Sequence, residues 1–300
     1  MRSQVGSSKR EGVDSKPIYL ADERKHNNTH RVNRIINLAT WDELLKQFAE
    51  IDNFVTERQR QQITKLSNPL FRGHPNSEWK LKTTLERETE TSYTLEQYHR
   101  EYVIPAYACL SGFSEKQWLF NENEDCGYKS LRRKDKLPNY EFMGYLRHHG
   151  FPSPLLDWTS SPYVAAFFAF DSQSSSDKVA IFWYQGYTGA TKIGEATEPK
   201  IITAGPWAAI HKRHFLQQSD YSICFHKQND NDALLVSHES VFESNVAITN
   251  EQDLLMKITL PASLRKEALH KLNKMNINPY SIYHSEDSLV RTVGNRLFTL

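Results

Sequence analysis

The chain has 300 residues, enough to bury roughly three quarters of its unfolded surface. Its 37 Lys and Arg balance 36 Asp and Glu, so no global field draws it to nucleic acid or to an anionic membrane, and any anion site must be local. Three scattered cysteines, Cys109, Cys126 and Cys224, fit neither a disulfide framework nor CxxC metal ligation, and no apolar run nears the roughly 18 to 20 residues that cross a bilayer. With a polar N-terminus, the expectation is a soluble protein in a reducing, cytoplasmic compartment, where the Asn27-Asn28-Thr29 sequon is chance.

Residues 1–33 are rich in Ser, Gly, Lys, Arg, Asn and Asp and too poor in apolar positions to offset the entropy of ordering, which predicts a flexible, mildly basic arm. One domain is expected over residues 34–300. Its folded part opens at Thr40-Trp41-Asp42-Glu43, a capping-box pattern ahead of Leu44, Leu45 and Phe48, with a helix of about two to five turns to follow. Pro69-Leu70-Phe71-Arg72-Gly73 reads as a short strand entering a glycine turn, with Trp79, Leu81 and Leu85 beyond it. Tyr98, Tyr102, Val103, Ala106, Tyr107 and Leu110 recur at helical steps over 94–112, whereas the polar stretch 121–138 reads as an exposed loop.

A second helix is expected over Tyr140 to His149, stopped by Gly150, and a third from Pro162, whose Val164, Ala165, Phe167, Phe168 and Ala169 make it apolar and buried. Val179 to Tyr184, Ser222 to Phe225 and Leu254 to Leu260 read as strands, and Pro261 to Lys274 as an amphipathic helix. Helices come mostly first and strands mostly second, without βαβ alternation or repeats. The fold class predicted is therefore α+β, with a helix-rich N-terminal half packed on a small mixed, mostly antiparallel sheet.

The densest run of chemistry is Arg147-His148-His149-Gly150-Phe151-Pro152-Ser153-Pro154-Leu155-Leu156-Asp157-Trp158-Thr159-Ser160-Ser161-Pro162. Together with Leu70-Phe71-Arg72-Gly73 it resembles the FRG-domain family, named for its Phe-Arg-Gly motif, whose second block runs roughly Gln-His-x-Gly-x-Pro-Thr-Arg-Leu-Leu-Asp-Trp-Thr-x-x-Pro. Arg213-His214-Phe215-Leu216-Gln217-Gln218-Ser219-Asp220-Tyr221-Ser222 is similar to a third block, Arg-x-x-x-Gln-Gln-Gly-x-Phe-Thr, and Ile277-Asn278 to Leu289 to the family's ending, so the resemblance spans about residues 36–293. Four departures stand out: Arg147 replaces the Gln before the His, Pro154 the Arg of Pro-Thr-Arg, Ser219 a Gly, and His284-Ser285-Glu286-Asp287-Ser288 a Pro-Asp-Leu-Asp-Gly ending. Arg147 can stand in for the lost Arg. The resemblance implies a setting of bacterial conflict, as a toxin or phage-defence effector, with a partner or antitoxin protein.

An arginine on an early strand, a Thr-Ser step leading into an apolar helix and then a Gln-bearing strand is also the order found in ADP-ribosyltransferases, an analogy of motif order. That analogy implies NAD as substrate, a protein or nucleic-acid acceptor, and an ADP-ribosyltransferase-like fold. Arg72 beside Gly73 is then a diphosphate clamp, with Arg147 and Arg213 near it; Thr159 and Ser160 hold ribose or phosphate oxygens ahead of a helix N-terminus, and Trp158 or Tyr221 supplies an aromatic platform. His148, Asp157, Gln217 and Gln218 are the polar candidates for chemistry. The acid is the weak point: no Gln-x-Glu step exists, Gln218-Ser219-Asp220 is the nearest, and Glu286 or Asp287 are further candidates.

Each candidate has a plainer reading. Arg72 and Asp157 form a structural ion pair as readily as a ligand site, His148 caps carbonyls, Asp157 accepts backbone N–H groups in a turn, and Trp158, Tyr163 and Phe167 fill the core. Gln217 and Gln218 are simple strand positions on that view. His211 and His214 are three apart but have no third ligand of convincing spacing, so no metal is expected; phosphate-loop, GxGxxG, HExxH and GxSxG signatures are absent. Besides the transferase, the sequence leaves open a non-catalytic module that binds a nucleotide or nucleic-acid fragment and signals to a partner, and a scaffold whose polar residues only knit the fold.

Overall fold

The computed structural model describes residues 34–61, 66–114, 116–129, 131, 137–186, 198–205, 210–229, 231–243 and 253–299. The arm expected over residues 1–33 lies outside them. One sheet organises the molecule, built from β1 (Arg34–Asn37), β2 (Leu70–His74), β3 (Leu156–Thr159), β4 (Lys178–Gln185), β5 (Lys200–Thr203), β6 (Ser219–Lys227), β7 (Ala233–Leu235) and β8 (Leu254–Pro261). Their order is β1-β8-β4-β2-β3-β6-β5, with β7 also paired to β6, and every pairing is antiparallel except β1 with β8. The α+β expectation therefore stands, with a mixed, mostly antiparallel sheet that is larger than foreseen.

The helices are α1 (Trp41–Arg60), α2 (Leu85–Glu88), α3 (Leu95–Tyr98), α4 (Ile104–Leu110), α5 (Tyr140–His148), α6 (Pro162–Asp171), α7 (Lys212–Leu216), α8 (Glu239–Glu243), α9 (Arg265–Lys274), α10 (Pro279–Tyr283) and α11 (Glu286–Gly294). Thr40 caps α1 by accepting from the Glu43 N–H, while the Glu43 carboxylate accepts from Ala39 N. A π turn, His99–Val103, joins α3 to α4 just ahead of Pro105, whose missing N–H and ring exclude a regular α turn there. The single helix expected over 94–112 is thus one rod with a widened middle.

Alternation along the strands makes three cores. Phe71, Ile181, Trp183, Met256 and Ile258 pack with α1, α6 and α9, whereas Tyr221, Ile223 and Phe225 pack with α3 to α5 farther along the sheet. Leu70, Leu156, Trp158, Phe182 and Tyr184 form the third with Leu81 and Val241. The stretch 121–138 is not simply an exposed loop: Cys126, Tyr128, Leu131 and Leu137 are buried in the second core. Single buried residues scattered among charges carry no helical or strand period, so the composition hid them.

Candidate functional site

The Phe-Arg-Gly tripeptide lies in β2, and each residue meets a different surrounding. Phe71 enters the first core edge-on to Phe48, with ring centroids 6.1 Å apart. Gly73 is a strand residue, not a turn: the ladder runs on to His74 opposite Ala180. A Cβ on Gly73 would sit 1.9 Å from Ala165 O and 2.6 Å from Ala169 N, so its missing side chain lets α6 lie directly on β2. The space beside Gly73 is therefore filled by a helix backbone and is closed to a ligand phosphate.

Arg72 occupies a gap in the sheet. β2 and β3 pair only at Phe71 opposite Thr159, and where the ladder stops the Arg72 Nη1 donates to Asp157 O at 2.5 Å and approaches Asp157 Oδ1 at 2.8 Å. Arg147, near the end of α5, donates from Nη2 to the same Oδ1 at 2.6 Å, and the Arg72 Nε donates to His74 Nε2 at 2.9 Å. Burial alone would raise the Asp157 carboxyl, but Arg147 and Arg72 outweigh it and hold it well below the usual carboxylate range. The two guanidinium side chains are 12% and 17% exposed while Asp157 is 43% exposed, so the cluster opens to solvent on the carboxylate side.

A third arginine lies within range of their fields. Leu85 N donates to Ser153 O and Ser153 N to Thr84 Oγ1, which docks α2 on the turn leading into β3, and its exposed Arg87 donates from Nη2 to Lys82 O at 3.0 Å. Partial desolvation and then the fields of Arg72 and Arg147 lower the Arg87 pKa. Glu86, whose field Arg87 also feels, is turned back onto Thr83 N. Two guanidinium groups thus converge on Asp157, and His74 beside Arg72 is kept neutral by burial, Arg72 and Arg87, its pKa pushed down to about 3. The arrangement suits a phosphate or diphosphate, which accepts charge-assisted hydrogen bonds from several planar donors at once.

Behind Arg147, His148 does not cap carbonyls; its Nε2 lies 2.6 Å from the Tyr221 hydroxyl, and Tyr221 stands opposite Asp157 in the β3–β6 ladder. Burial, with His214, His211 and Arg147 adding to it against Asp157, lowers His148 to about 4, while burial and Asp157 raise the Tyr221 phenol. At neutral pH the phenol therefore donates and the uncharged ring accepts. His214 stacks on Tyr221 and His211 caps α7, accepting from Arg213 N; among the described residues no group of three or more His, Cys, Asp or Glu could hold a metal ion.

Other candidates meet at a separate corner. Thr159, nearly inaccessible, donates its hydroxyl to Gln217 O at 2.7 Å and accepts from Ser161 N, and Ser161 caps α6 by accepting from Val164 N. Its oxygen is committed to the fold and not turned to a ribose. Ser160 and Gln218 are exposed: the Ser160 hydroxyl donates to Gln218 Oε1 at 3.2 Å, and Gln218 adopts φ +48°, so the glutamines form a turn ahead of β6 and are not strand residues. Trp158 is a core residue, donating to Ser222 Oγ at 2.7 Å and packing on Tyr184, and so offers no platform for a ring from solution. Arg213 donates to Tyr283 O and Gln217 to Ile282 O, both toward α10. Burial pushes the Asp220 carboxyl up to about 6 although it accepts from Tyr221 N and Gly205 N. Glu286 and Asp287 lie exposed in the first turn of α11.

Arg72, Arg147, His148, Asp157 and Tyr221 are therefore brought together, as the sequence blocks suggest, whereas Arg213 and Gln217 face α10. Sequence reading missed Arg87 and His74. Arg87 sits in a short helix among other charged residues with no motif to mark it, but His74 directly follows Phe-Arg-Gly, and strand alternation places it on the face of Arg72.

The fold and site define an α+β protein built on one mixed sheet, with Arg72, Asp157 and Arg147 clustered where β2 and β3 part. Residues 67–178 match the FRG domain, a match that takes in Phe71-Arg72-Gly73, Arg87 and the whole block from Arg147 to Pro162. No curated protein and no solved structure matches the chain. Among the described residues no helix is long and apolar enough to cross a membrane.

Proposed function

We propose that this chain binds a phosphate-bearing nucleotide of the NAD and ADP-ribose class at the cluster of Arg72 and Arg147 on Asp157, with Arg87 contributing from its rim. The observation that carries the reading is the convergence of two guanidinium groups on a single oxygen of one carboxylate, Asp157 Oδ1. A purely structural ion pair needs one arginine, and the surplus charge is Arg147, positioned by α5, with the exposed Arg87 of α2 adding to the positive field. Titration calorimetry with pyrophosphate, ADP-ribose and NAD tests it: all three should bind, more weakly as salt rises, and Arg147→Gln should lower affinity about tenfold or more with the melting midpoint retained. Absence of saturable binding by any of them at millimolar concentration overturns the reading.

A second reading makes NAD the donor in ADP-ribosyl transfer to a protein or nucleic acid, as in a toxin or phage-defence effector restrained by a partner protein. The exposed Ser160 hydroxyl and Gln218 amide favour it, since they sit together at the end of β3, where a ribose could be oriented. In such a step the glycosidic C–N bond breaks, nicotinamide leaves with the bonding pair, and the acceptor gives up a proton as its bond to ribose forms. Incubating the protein with labelled NAD and lysate should label a macromolecule, and Gln218→Ala should abolish labelling while NAD still binds. Failure to release nicotinamide under conditions where NAD is bound leaves the binding module as the function.

A further inference from the structure

The arginine cluster has an aromatic neighbour. Of the tryptophans among the described residues, Trp41, Trp118, Trp158 and Trp183 are buried, but Trp79 is 49% exposed. Its ring lies edge-on to the His74 ring, with centroids 6.2 Å apart, and His74 is the group that accepts from Arg72 Nε. A single buried imidazole therefore separates an exposed indole from the guanidinium cluster.

The backbone that carries the indole is held in place. Trp79 N donates to Asn76 O, Ser77 N to Lys178 O at the start of β4, and Leu81 N to Glu239 Oε1 on α8, so the segment carrying Trp79 is fastened to the sheet on one side and to a helix on the other. His74 itself is buried and packs against Phe182 at 5.1 Å. About half of the large apolar Trp79 side chain therefore faces solvent, one ring away from Arg72. Lys80, paired with Glu239, and the exposed Lys82 follow it closely in the sequence, and an aromatic face beside cations suits a ligand that joins a flat ring to an anion.

Building on the nucleotide reading above, we infer that Trp79 is the base-stacking platform of the site, so that the ligand's phosphates meet Arg72, Arg87 and Arg147 while its purine lies on the indole. Phosphate alone then fills half the site, and the ligand class narrows from anions to nucleotides carrying a diphosphate. His74, uncharged, spaces the two halves and keeps Arg72 directed at Asp157.

Calorimetry on the full chain with two probes, pyrophosphate and ADP, separates the claims. ADP should bind roughly tenfold more tightly than pyrophosphate, the scale of one base stacked on an aromatic side chain. Trp79→Ala should remove that advantage and leave pyrophosphate affinity within about twofold, and Trp79→Phe should restore most of it. If pyrophosphate itself does not bind, the arginine reading fails. If pyrophosphate binds but ADP holds no advantage in the unmodified protein, or keeps its advantage in both variants, the platform is not Trp79 and this inference fails alone.

Discussion

The two ends of β3 treat polar groups in opposite ways. At Thr159 the hydroxyl gives to Gln217 O and takes from Ser161 N, and the exchange closes locally. At Asp157 one carboxylate oxygen receives two arginines, a third stands near, and the charge stays unbalanced beside solvent. A closed exchange fixes a turn, whereas an unbalanced cluster is stable only because the carboxylate and water share the load, and an incoming anion can take over from both.

Acid should disturb the charged end most. His74, His148 and the fully buried His238, whose Nε2 lies 2.8 Å from Ser222 Oγ, are held to about 3, 4 and 3 by burial, with arginines contributing at each, so they stay neutral in the folded chain while the unfolded chain protonates near pH 6.5. Their contribution is complete above about pH 6.5 and is lost as pH falls toward 4, at up to about 4 kcal/mol per pH unit for three rings together. Asp220, raised to about 6, acts oppositely, regaining stability as pH falls from about 6 to 3.8, and Asp157 adds its loss only below about pH 4. Urea midpoints at pH 8, 6.5 and 5.5 should be flat and then drop; an unchanged midpoint at pH 5.5 contradicts the neutral rings.

Gly73→Ala comes next, because both ends rely on α6 lying against β2. The clash with Ala165 O should destabilise by about 3 kcal/mol or more in denaturant titration. Asp157→Asn leaves Arg72 and Arg147 without a counter-charge; with the carboxylate half exposed the loss should be about 2 kcal/mol, and pyrophosphate should bind more tightly. That opposite movement of stability and affinity is the sharpest contrast with Thr159→Val, which should lose about 1 kcal/mol and leave affinity unchanged. Smallest is Ser160→Ala, within about 0.5 kcal/mol in stability, its effect confined to any NAD turnover.

The fold was legible where periodicity was strong. The strands at Val179 to Tyr184 and Leu254 to Leu260 and the helix from Pro162 stand within a residue or so of their reading. β1 was not foreseen because four residues, Arg-Ile-Ile-Asn, carry no pattern until β8 offers them a parallel edge. At the site, Arg72 with Asp157 could be read from adjacent motif blocks. Thr159 could not be assigned, since whether a hydroxyl is free depends on a carbonyl 58 residues away. Trp158 was equally ambiguous until the ladder set it on the face of Tyr184.

The position of β8 bears on how the chain is made. β8 lies between β1 and β4, so Arg34 faces Met256, made about 220 residues later. At about 5–20 residues per second, a ribosome needs roughly 10 to 40 s between the two. Throughout that interval the first strand has no partner in this sheet, and β4 lacks one neighbour. The nascent chain therefore carries open hydrogen-bonding edges until late in synthesis, a window in which chaperones or like chains have the best access to it.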